Sequence, residues 1–469
     1  MKRRDFLTSS LGAIAATTLP GCDDHGASHM PHAPAAAPGP DGKMRLPWQN
    51  WSGYQSCLPA ARVAPSNLDE LAELLKKSTG SIRPVGAGHS FTPLVPTDGT
   101  IVSLRNFEGL TAHDEAALTA TFGAGTKLGS IGEPLNAVGQ ALQNMPDIDE
   151  QSLAGAISTG THGTGQKLGA IHSSIVSMKL CTPRGDVLTL SRAENPEIFN
   201  AARVSLGSLG VITEVTLQNV KAHNLKRRVT LAPMDELIEK FDENAANNHS
   251  FEMYYVPYCD KGVAIAINPT DDPVHPRGAE QDNDAVMQMK QLRDFTSWAP
   301  PLRRWLMNKS TEDYQPQEAV DVWYKIFPSN RAVRFNEMEY HLPREQLMPT
   351  LKKVRETLEA KHHEIFFPIE IRTVRGDDAW LSPFYGHEVS GSIAVHHYHL
   401  EDPLPYFADI EPLYQPIGGR PHWGKMNTLD AGAFAQRYPK WKDFLEVRAS
   451  LDPEGKMLNP YLKKVFGVA

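Results

Sequence analysis

The most informative parts of this sequence are two glycine-rich stretches, Gly86-Ala-Gly-His-Ser-Phe91 and Gly155-Ala-Ile-Ser-Thr-Gly-Thr-His-Gly-Thr-Gly165. Backbone amides in such loops can approach a pyrophosphate closely, because glycine places no side chain in the way. Neither stretch is a Walker loop, since the second continues into Gln-Lys, and the first lacks the third glycine of a Rossmann fingerprint. Together with the turn Gly207-Ser-Leu-Gly210, they indicate a dinucleotide held across several loops of one domain.

Helix and strand patterns alternate around these loops. Ser66-Asn-Leu-Asp69 predicts the start of a helix that runs to Lys77. The runs 175–182 and 187–191 flank the turn Pro183-Arg-Gly-Asp186, which predicts a hairpin. After about residue 222 the glycines become rarer and a long polar insertion follows. We therefore predict an α+β chain whose first domain is residues 46–221 and whose second is residues 222–415.

Composition excludes several classes of protein. The 469 residues are 41% hydrophobic and 22% charged, as in an ordinary globular chain, so disorder and collagen are excluded. The formal net charge of -8 argues against a nucleic acid partner. The 4 cysteines contain no CxxC pair, which disfavours a zinc site or a disulfide framework.

The N-terminus predicts export. Residues 1–22 contain Lys2-Arg-Arg-Asp-Phe-Leu7 and a short apolar run, which resemble a twin-arginine (Tat) signal. Leu19-Pro-Gly-Cys22 resembles a lipobox with an atypical proline, so lipidation at Cys22 and simple cleavage nearby both stay open. Residues 23–45 are rich in Pro, Ala and Gly and are interpreted as a flexible linker. The expected location is the periplasm, as a soluble protein or a membrane-anchored lipoprotein.

Three motifs in combination resemble the FAD domain of the vanillyl-alcohol oxidase superfamily: 83–91, 149–165 and 201–212. The resemblance is strongest to the sugar-1,4-lactone oxidases, which include gulonolactone and arabinonolactone oxidases, and next to alditol oxidases. Pro421-His-Trp-Gly-Lys425 and the segment 451–461 extend it over most of residues 48–466, although residues 269–320 match poorly. It implies a two-domain flavoprotein in which a split FAD-binding domain of the PCMH type encloses an α+β substrate (cap) domain, with residues 416–469 completing the FAD domain and the active site.

The resemblance also implies which residues contact FAD. They are Pro84, Gly86, Ala87, Gly88, His89, Ser90, Ala154, Gly155, Ser158, Thr159, Gly160, His162, Gly163, Gly210, Val211 and Ile212. In many members of the family the His of the first loop is bonded covalently to the flavin, which implies the same for His89. A neutral imidazole nitrogen is a suitable nucleophile for that bond. Tat export agrees with this interpretation, because a protein that folds around FAD in the cytoplasm must be exported already folded.

Residues 366–374 are predicted to form a strand that carries two charged side chains. Its period of two places Glu370 and Arg372 on one face, about 6.5 Å apart, with Ile369 and Ile371 on the other. From the residues alone this is a solvated charge pair. The resemblance implies instead the Glu-x-Arg pair that binds and orients substrate. It likewise implies that Lys425, otherwise a surface lysine, contacts substrate hydroxyls.

The run His396-His-Tyr-His399 contains three possible metal ligands. On a strand His397 and His399 share a face and His396 opposes them, so a three-ligand site is awkward and we expect no metal. Through a gapped region, the resemblance places His397 near a substrate-contacting position.

The implied activity is FAD-dependent oxidation of a sugar-derived alcohol, in first place an aldono-1,4-lactone, by hydride transfer to flavin N5. Glu370 or Lys425 would polarise the hydroxyl or accept its proton, and Arg372 would steady negative charge on oxygen. The alternatives are an alditol oxidase, a dehydrogenase that passes electrons to a quinone or cytochrome instead of oxygen, and a non-catalytic sugar-binding lipoprotein.

Overall fold

The computed structural model describes residues 30–278, 282–329 and 331–468. The predicted signal segment 1–22, with Cys22, lies outside these ranges. Part of the predicted linker is described, and it contains a short hairpin. Strands β1 (Ala37–Pro38) and β2 (Met44–Arg45) pair there, and Gly42, with φ +74°, provides the left-handed turn that joins them.

The further strands of the first part are β3 (Trp48–Gln49), β4 (Ser56–Cys57), β5 (Ala61–Val63), β6 (Ile82–Val85), β7 (Thr100–Ser103), β8 (Leu110–Asp114), β9 (Thr119–Gly123), β10 (Gln140–Ala141), β11 (Ile175–Cys181), β12 (Val187–Ser191), β13 (Val211–Gln218) and β14 (Val220–Lys221). This part contains a parallel sheet of order β5-β7-β6 and an antiparallel sheet of order β12-β11-β13-β9-β8. The α-helices are Leu68–Lys77, Gly132–Ala137, Leu153–Thr159 and Pro196–Ala202.

The local patterns explain these elements. The predicted helix begins at Leu68, because the Asn67 side chain accepts a hydrogen bond from the Glu70 amide, and ends at Lys77 as expected. The predicted hairpin is confirmed, with Cys181 opposite Val187.

The second part is built on one eight-stranded sheet. Its strands are β15 (Asn224–Pro233), β16 (Ser250–Tyr255), β17 (Lys261–Thr270), β18 (Gln317–Val322), β19 (Phe335–Pro343), β20 (Ile369–Arg375), β21 (Val389–Tyr398) and β22 (Arg420–Pro421). Their order across the sheet is β18-β15-β17-β16-β20-β21-β19-β22. The α-helices of this part are Met234–Glu239, Phe241–Asn247, Asp282–Thr296, Pro300–Ser310, Trp323–Ile326, Leu347–Lys361 and Leu404–Tyr414.

The chain then returns to the first part. Helices Ala431–Arg437, Trp441–Leu451 and Pro460–Phe466 bury Phe434, Trp441 and Phe466 in the same hydrophobic core as Leu71 and Phe199. Burial of these large aromatic rings supplies much of the free energy that holds the C-terminal segment in place.

Arg83 ties the returning chain to the first glycine-rich loop. Its guanidinium is buried and donates to the carbonyl oxygens of Leu94, Leu206, Gly207 and Met457. One side chain therefore joins segments more than 300 positions apart in the sequence and holds the loop in a defined position.

Two further properties concern the whole described part of the chain. No helix within it is both long and apolar enough to span a bilayer. Its three cysteines, Cys57, Cys181 and Cys259, are free thiols.

Candidate active site

A cavity of about 690 Å³ lies between the glycine-rich loops and one face of the eight-stranded sheet. Most residues that the sequence singled out line it. They are Pro84, Gly86, Ala87, Gly88, His89, Ser90, Ala154, Gly155, Ser158, Thr159, His162, Gly163, Gly210, Ile212, Glu370, Arg372 and Lys425.

Gly160 and Val211, which were expected to contact FAD, are not among the lining residues. Gly160 ends the helix Leu153–Thr159 in the left-handed conformation, with φ +84°. Val211 is fully buried in the core, whereas its neighbours Gly210 and Ile212 line the cavity. Neither Gly160 nor Val211 therefore forms part of the cavity wall.

Glycine is required where the loops approach one another. A Cβ on Gly86 would lie 1.9 Å from the Ser152 Oγ, and one on Gly207 would lie 2.8 Å from the Pro84 ring. The loops can pack side by side only because these positions lack side chains, and they present main chain to the cavity. The same cavity continues to Glu370 and Arg372. An extended backbone cradle that leads to a cluster of charged side chains fits FAD.

Glu339, on β19, is the centre of the charged cluster. It is 1% exposed and accepts hydrogen bonds from Arg372 Nη2 (2.6 Å), His162 Nε2 (3.0 Å) and the Ser392 hydroxyl. Burial opposes its ionisation, but Arg372 and His162 outweigh that cost and hold the pKa of Glu339 well below its usual range. Glu339 is therefore a fixed negative charge between Arg372 and His162.

Arg372 connects this charge to Glu370. Its Nη2 atom lies 3.2 Å from Glu370 Oε2 as well as 2.6 Å from Glu339 Oε1. Ile369 and Ile371 are fully buried on the opposite face of β20, as the period of two predicts. The sequence predicted correctly that Glu370 and Arg372 share one face of the strand and lie close together. It did not predict that Glu339 joins them.

A second acidic residue of β19, Glu337, lies at the other end of the cluster. It forms an ion pair with Lys425, and its Oε1 lies 3.7 Å from His396 Nε2. Burial raises the pKa of Glu337, although the Lys425 charge opposes that effect. The alternation of Glu337 and Glu339 with the apolar Met338 and Tyr340 is the signal that could have revealed both carboxylates from the sequence.

Tyr254 and Glu252, on β16, complete the acidic wall of the cavity. The Tyr254 hydroxyl donates to Glu370 Oε1 at 2.9 Å and lies 3.3 Å from Glu252 Oε1. Neither residue was predicted, because nothing in the local sequence indicates that β16 pairs with β20.

His89 lies in the first glycine-rich loop and is stacked on Trp51, with ring centroids 5.0 Å apart. Burial, with a smaller contribution from the Lys425 charge, lowers the pKa of His89 to about 4. The imidazole is therefore neutral at physiological pH.

The expectation that His397 lies near the substrate is wrong, because His396 faces the cavity instead. His396 lines the cavity, whereas His397 is buried on the other face of β21, near Tyr406. The alternation that separates the two rings was predicted correctly, but the face that points to the site was not.

Two groups of ligand-type side chains within the described residues have their donor atoms within 4.8 Å of one another: His162, Glu339 and His341, and Glu337, Glu370 and His396. In both groups a carboxylate already pairs with a cation, which is Arg372 on Glu339 and Lys425 on Glu337. The arrangement favours an organic substrate held by charged side chains over a metal centre.

Comparison with known proteins agrees with this geometry. Residues 215–465 match the family model for D-arabinono-1,4-lactone oxidase, and residues 59–191 match that for an FAD-binding domain. The chain belongs to the D-arabinono-1,4-lactone oxidase family. Family members that resemble it include an L-gulono-1,4-lactone dehydrogenase of Mycobacterium tuberculosis, 36% identical over 90% of this chain and 99% of that protein. An alditol oxidase of Streptomyces sp. is 28% identical over 89% of this chain and 98% of that protein.

Solved structures show the same fold. Cholesterol oxidase from Brevibacterium sterolicum superimposes with a TM-score of 0.74 over 92% of this chain and 100% of that chain, at 16% identity. The family assignment and this likeness confirm the two-domain α+β flavoprotein fold of the vanillyl-alcohol oxidase type.

Proposed function

We propose that this protein oxidises an alcohol group of an aldono-1,4-lactone. The observation that carries the proposal is that Glu370, Arg372 and Lys425 face the glycine-rich loops across one cavity. When bound, FAD supplies the acceptor for the hydride and its two electrons. The protein residues must then bind the lactone, orient its hydroxyl and take up the hydroxyl proton.

The ion pairs suggest how these tasks are divided. Lys425 is paired with Glu337, and an ammonium group has donors but no acceptor, so Lys425 is suited to donate to a substrate oxygen. Glu370 has carboxylate lone pairs left after its contacts with Tyr254 and Arg372, so it is suited to accept the hydroxyl proton. Arg372, held by Glu339, is suited to stabilise negative charge that develops on oxygen.

We further propose that His89 holds FAD covalently. Its position in the cavity wall, its neutral ring and its stacking on Trp51 support this role. A neutral imidazole has a free lone pair on one ring nitrogen, and a ring held by stacking keeps that nitrogen in a constant direction.

Alditol oxidation is the second candidate function, and the likeness to the Streptomyces alditol oxidase favours it. The electron acceptor is proposed to be oxygen or, as in a dehydrogenase, a quinone or cytochrome. The relatives carry both types of name, L-gulonolactone oxidase of Scyliorhinus torazame at 30% identity and L-gulono-1,4-lactone dehydrogenase of Mycobacterium tuberculosis at 36%.

One screen tests these proposals. Purified holoprotein is mixed anaerobically with aldono-1,4-lactones, with xylitol and sorbitol, and with free sugars, and bleaching of the flavin absorbance is followed. Fast bleaching by a lactone is expected. Faster bleaching by an alditol would favour the alditol oxidase. If the protein instead purifies without flavin and still binds sugars, the non-catalytic lipoprotein is favoured. Oxygen uptake, with cytochrome or quinone reduction in parallel, identifies the acceptor.

We also propose export through Tat, to the periplasm or to a lipid anchor at Cys22. Arg3 and Arg4, ahead of the apolar run, support it. Expression of the full chain followed by cell fractionation tests it, with the R3K/R4K double variant expected to stay in the cytoplasm. The mass of the mature N-terminus then distinguishes lipidation from simple cleavage.

A further inference from the structure

Tyr254 lies directly opposite Glu370 in the antiparallel pairing of β16 with β20. Glu252 precedes Tyr254 by two positions, so both side chains point to the same face of the sheet and line the same cavity. Three side chains from two neighbouring strands therefore form one row: Glu252, Tyr254 and Glu370.

The distances in this row constrain where the protons are. Tyr254 Oη lies 2.9 Å from Glu370 Oε1 and 3.3 Å from Glu252 Oε1. A phenol has a single proton, whereas an ionised carboxylate can only accept. If the phenol donates to Glu370, the second contact is a hydrogen bond only if Glu252 carries the proton and donates to the phenol oxygen.

The surrounding charges favour the same assignment. Arg372 already pairs with Glu339 and Glu370, so it does not neutralise Glu252 directly. The charged groups that face Glu252 from the packed elements are the acids Glu370 and Asp147 and the bases Arg372 and Arg227. Burial, followed by the Glu370 charge, raises the pKa of Glu252 to about 8.

We propose that Glu252 is held as a neutral carboxylic acid and acts as a positioning residue: it fixes the phenol proton of Tyr254 on Glu370, and its ionisation sets the alkaline limit of the reaction. The role of Glu370 in this statement rests on the proposed function. Loss of the Glu252 proton leaves one phenol hydrogen for two carboxylates, so Glu370 loses its fixed orientation toward the substrate hydroxyl.

The first test is the pH profile of flavin reduction at saturating lactone, from pH 6 to 9.5. The wild-type rate is expected to fall at least about fivefold, with an apparent pKa near 8. Glu252→Gln keeps a donor for the phenol but cannot ionise, so its rate at pH 7 is expected to stay within about threefold of wild type and to show no alkaline fall. Glu318→Gln, on the exposed edge strand β18, is the matched control and keeps the wild-type profile.

A double-mutant cycle tests whether Glu252 acts through Tyr254. Tyr254→Phe is expected to slow flavin reduction about fivefold or more at pH 7. At pH 9, Glu252→Gln is expected to raise the rate when Tyr254 is present and to leave the rate of Tyr254→Phe unchanged. An alkaline fall that persists in Glu252→Gln would overturn the proposal, and so would an equal gain in rate at pH 9 with and without Tyr254.

Thermal unfolding of the holoprotein provides a measurement that does not depend on turnover. The folded-state pKa of Glu252 is raised, so the stability associated with its proton is complete below the unfolded value and is lost as the pH rises toward 8. The wild-type Tm is therefore expected to fall more between pH 6 and 9 than that of Glu252→Gln, and equal falls would contradict a neutral Glu252. If no lactone reduces the flavin, the proposed function fails while this comparison still decides the protonation state.

Discussion

Arg372 donates from Nη2 to Glu339 Oε1 across 2.6 Å, although strand β21 lies between the strands that carry them. The same Glu339 oxygen accepts from His162, which belongs to the second glycine-rich loop. The guanidinium that pairs with Glu370 is thus positioned by a carboxylate that also connects the sheet to the FAD-binding loops. The position of the Glu370–Arg372 pair depends on this link.

Glu339→Gln is expected to lower the free energy of unfolding by about 3 kcal/mol or more, because it removes the charge shared by the buried Arg372 and His162 and leaves Arg372 only its longer contact with Glu370. Urea unfolding at pH 7 measures the loss, and the exposed Glu318→Gln is expected to change it by less than about 0.5 kcal/mol. A loss as small as that of the control would show that the network does not stabilise the fold.

The same variant makes a pH prediction. The folded-state pKa of Glu339 is lowered, so its contribution to stability is present above the unfolded value of about 4.5 and is lost as the pH falls through the folded value. The stability difference between wild type and Glu339→Gln is therefore expected to narrow below about pH 4.5. Urea midpoints measured from pH 7 to pH 3 check this, and a constant difference would argue against an ionised Glu339.

Changes in the Glu-x-Arg pair are expected to slow chemistry without loss of flavin. Glu370→Ala and Arg372→Ala should each reduce the rate of flavin reduction at least about tenfold, because the proton acceptor or its partner is lost. Arg372→Lys should be nearly as slow, since the shorter lysine side chain does not carry its ammonium to the position of Nη2, which contacts both Glu339 and Glu370. Stopped-flow absorbance measures the rates, and normal reduction in the alanine variants would refute the assignment.

His89→Ala is expected to bind flavin without a covalent bond. After acid precipitation the wild type should keep its yellow colour in the pellet, and the variant should release it to the supernatant. His113→Ala, at an exposed position on β8, serves as the control and should retain the colour. Complete release from wild type would show that the linkage does not exist.

Arg83→Lys is expected to destabilise the protein by about 3 kcal/mol, because a single ammonium cannot reach the carbonyls that the buried guanidinium satisfies. Thermal unfolding monitored by flavin fluorescence measures the loss of stability. Arg62→Lys, an exposed arginine with one carbonyl contact, should stay within about 0.5 kcal/mol of wild type. Equal stability of the two variants would mean that Arg83 does not anchor the returning chain.

Much of the site was accessible from local sequence. The glycine-rich loops require positions without side chains, and a strand period of two places Glu370 beside Arg372 whatever the rest of the fold does. The same rule separates His396 from His397, but it does not say which of the two faces the cavity. That choice depends on which side of the sheet meets the FAD-binding loops.

Spacing within a few residues predicted the glycine-rich dinucleotide loops, the α+β character and the shared face of Glu370 and Arg372, whereas FAD and the role of that pair were implied by the family resemblance. That Glu337, Glu339, Tyr254 and Glu252 share a cavity with the pair became visible only in the folded chain. Their strands are brought together by pairings over long sequence separations, and an acidic residue alternating with apolar ones looks the same in sequence whether its face meets water or a cofactor site. Burial and the neighbouring charges then decide how each carboxylate ionises.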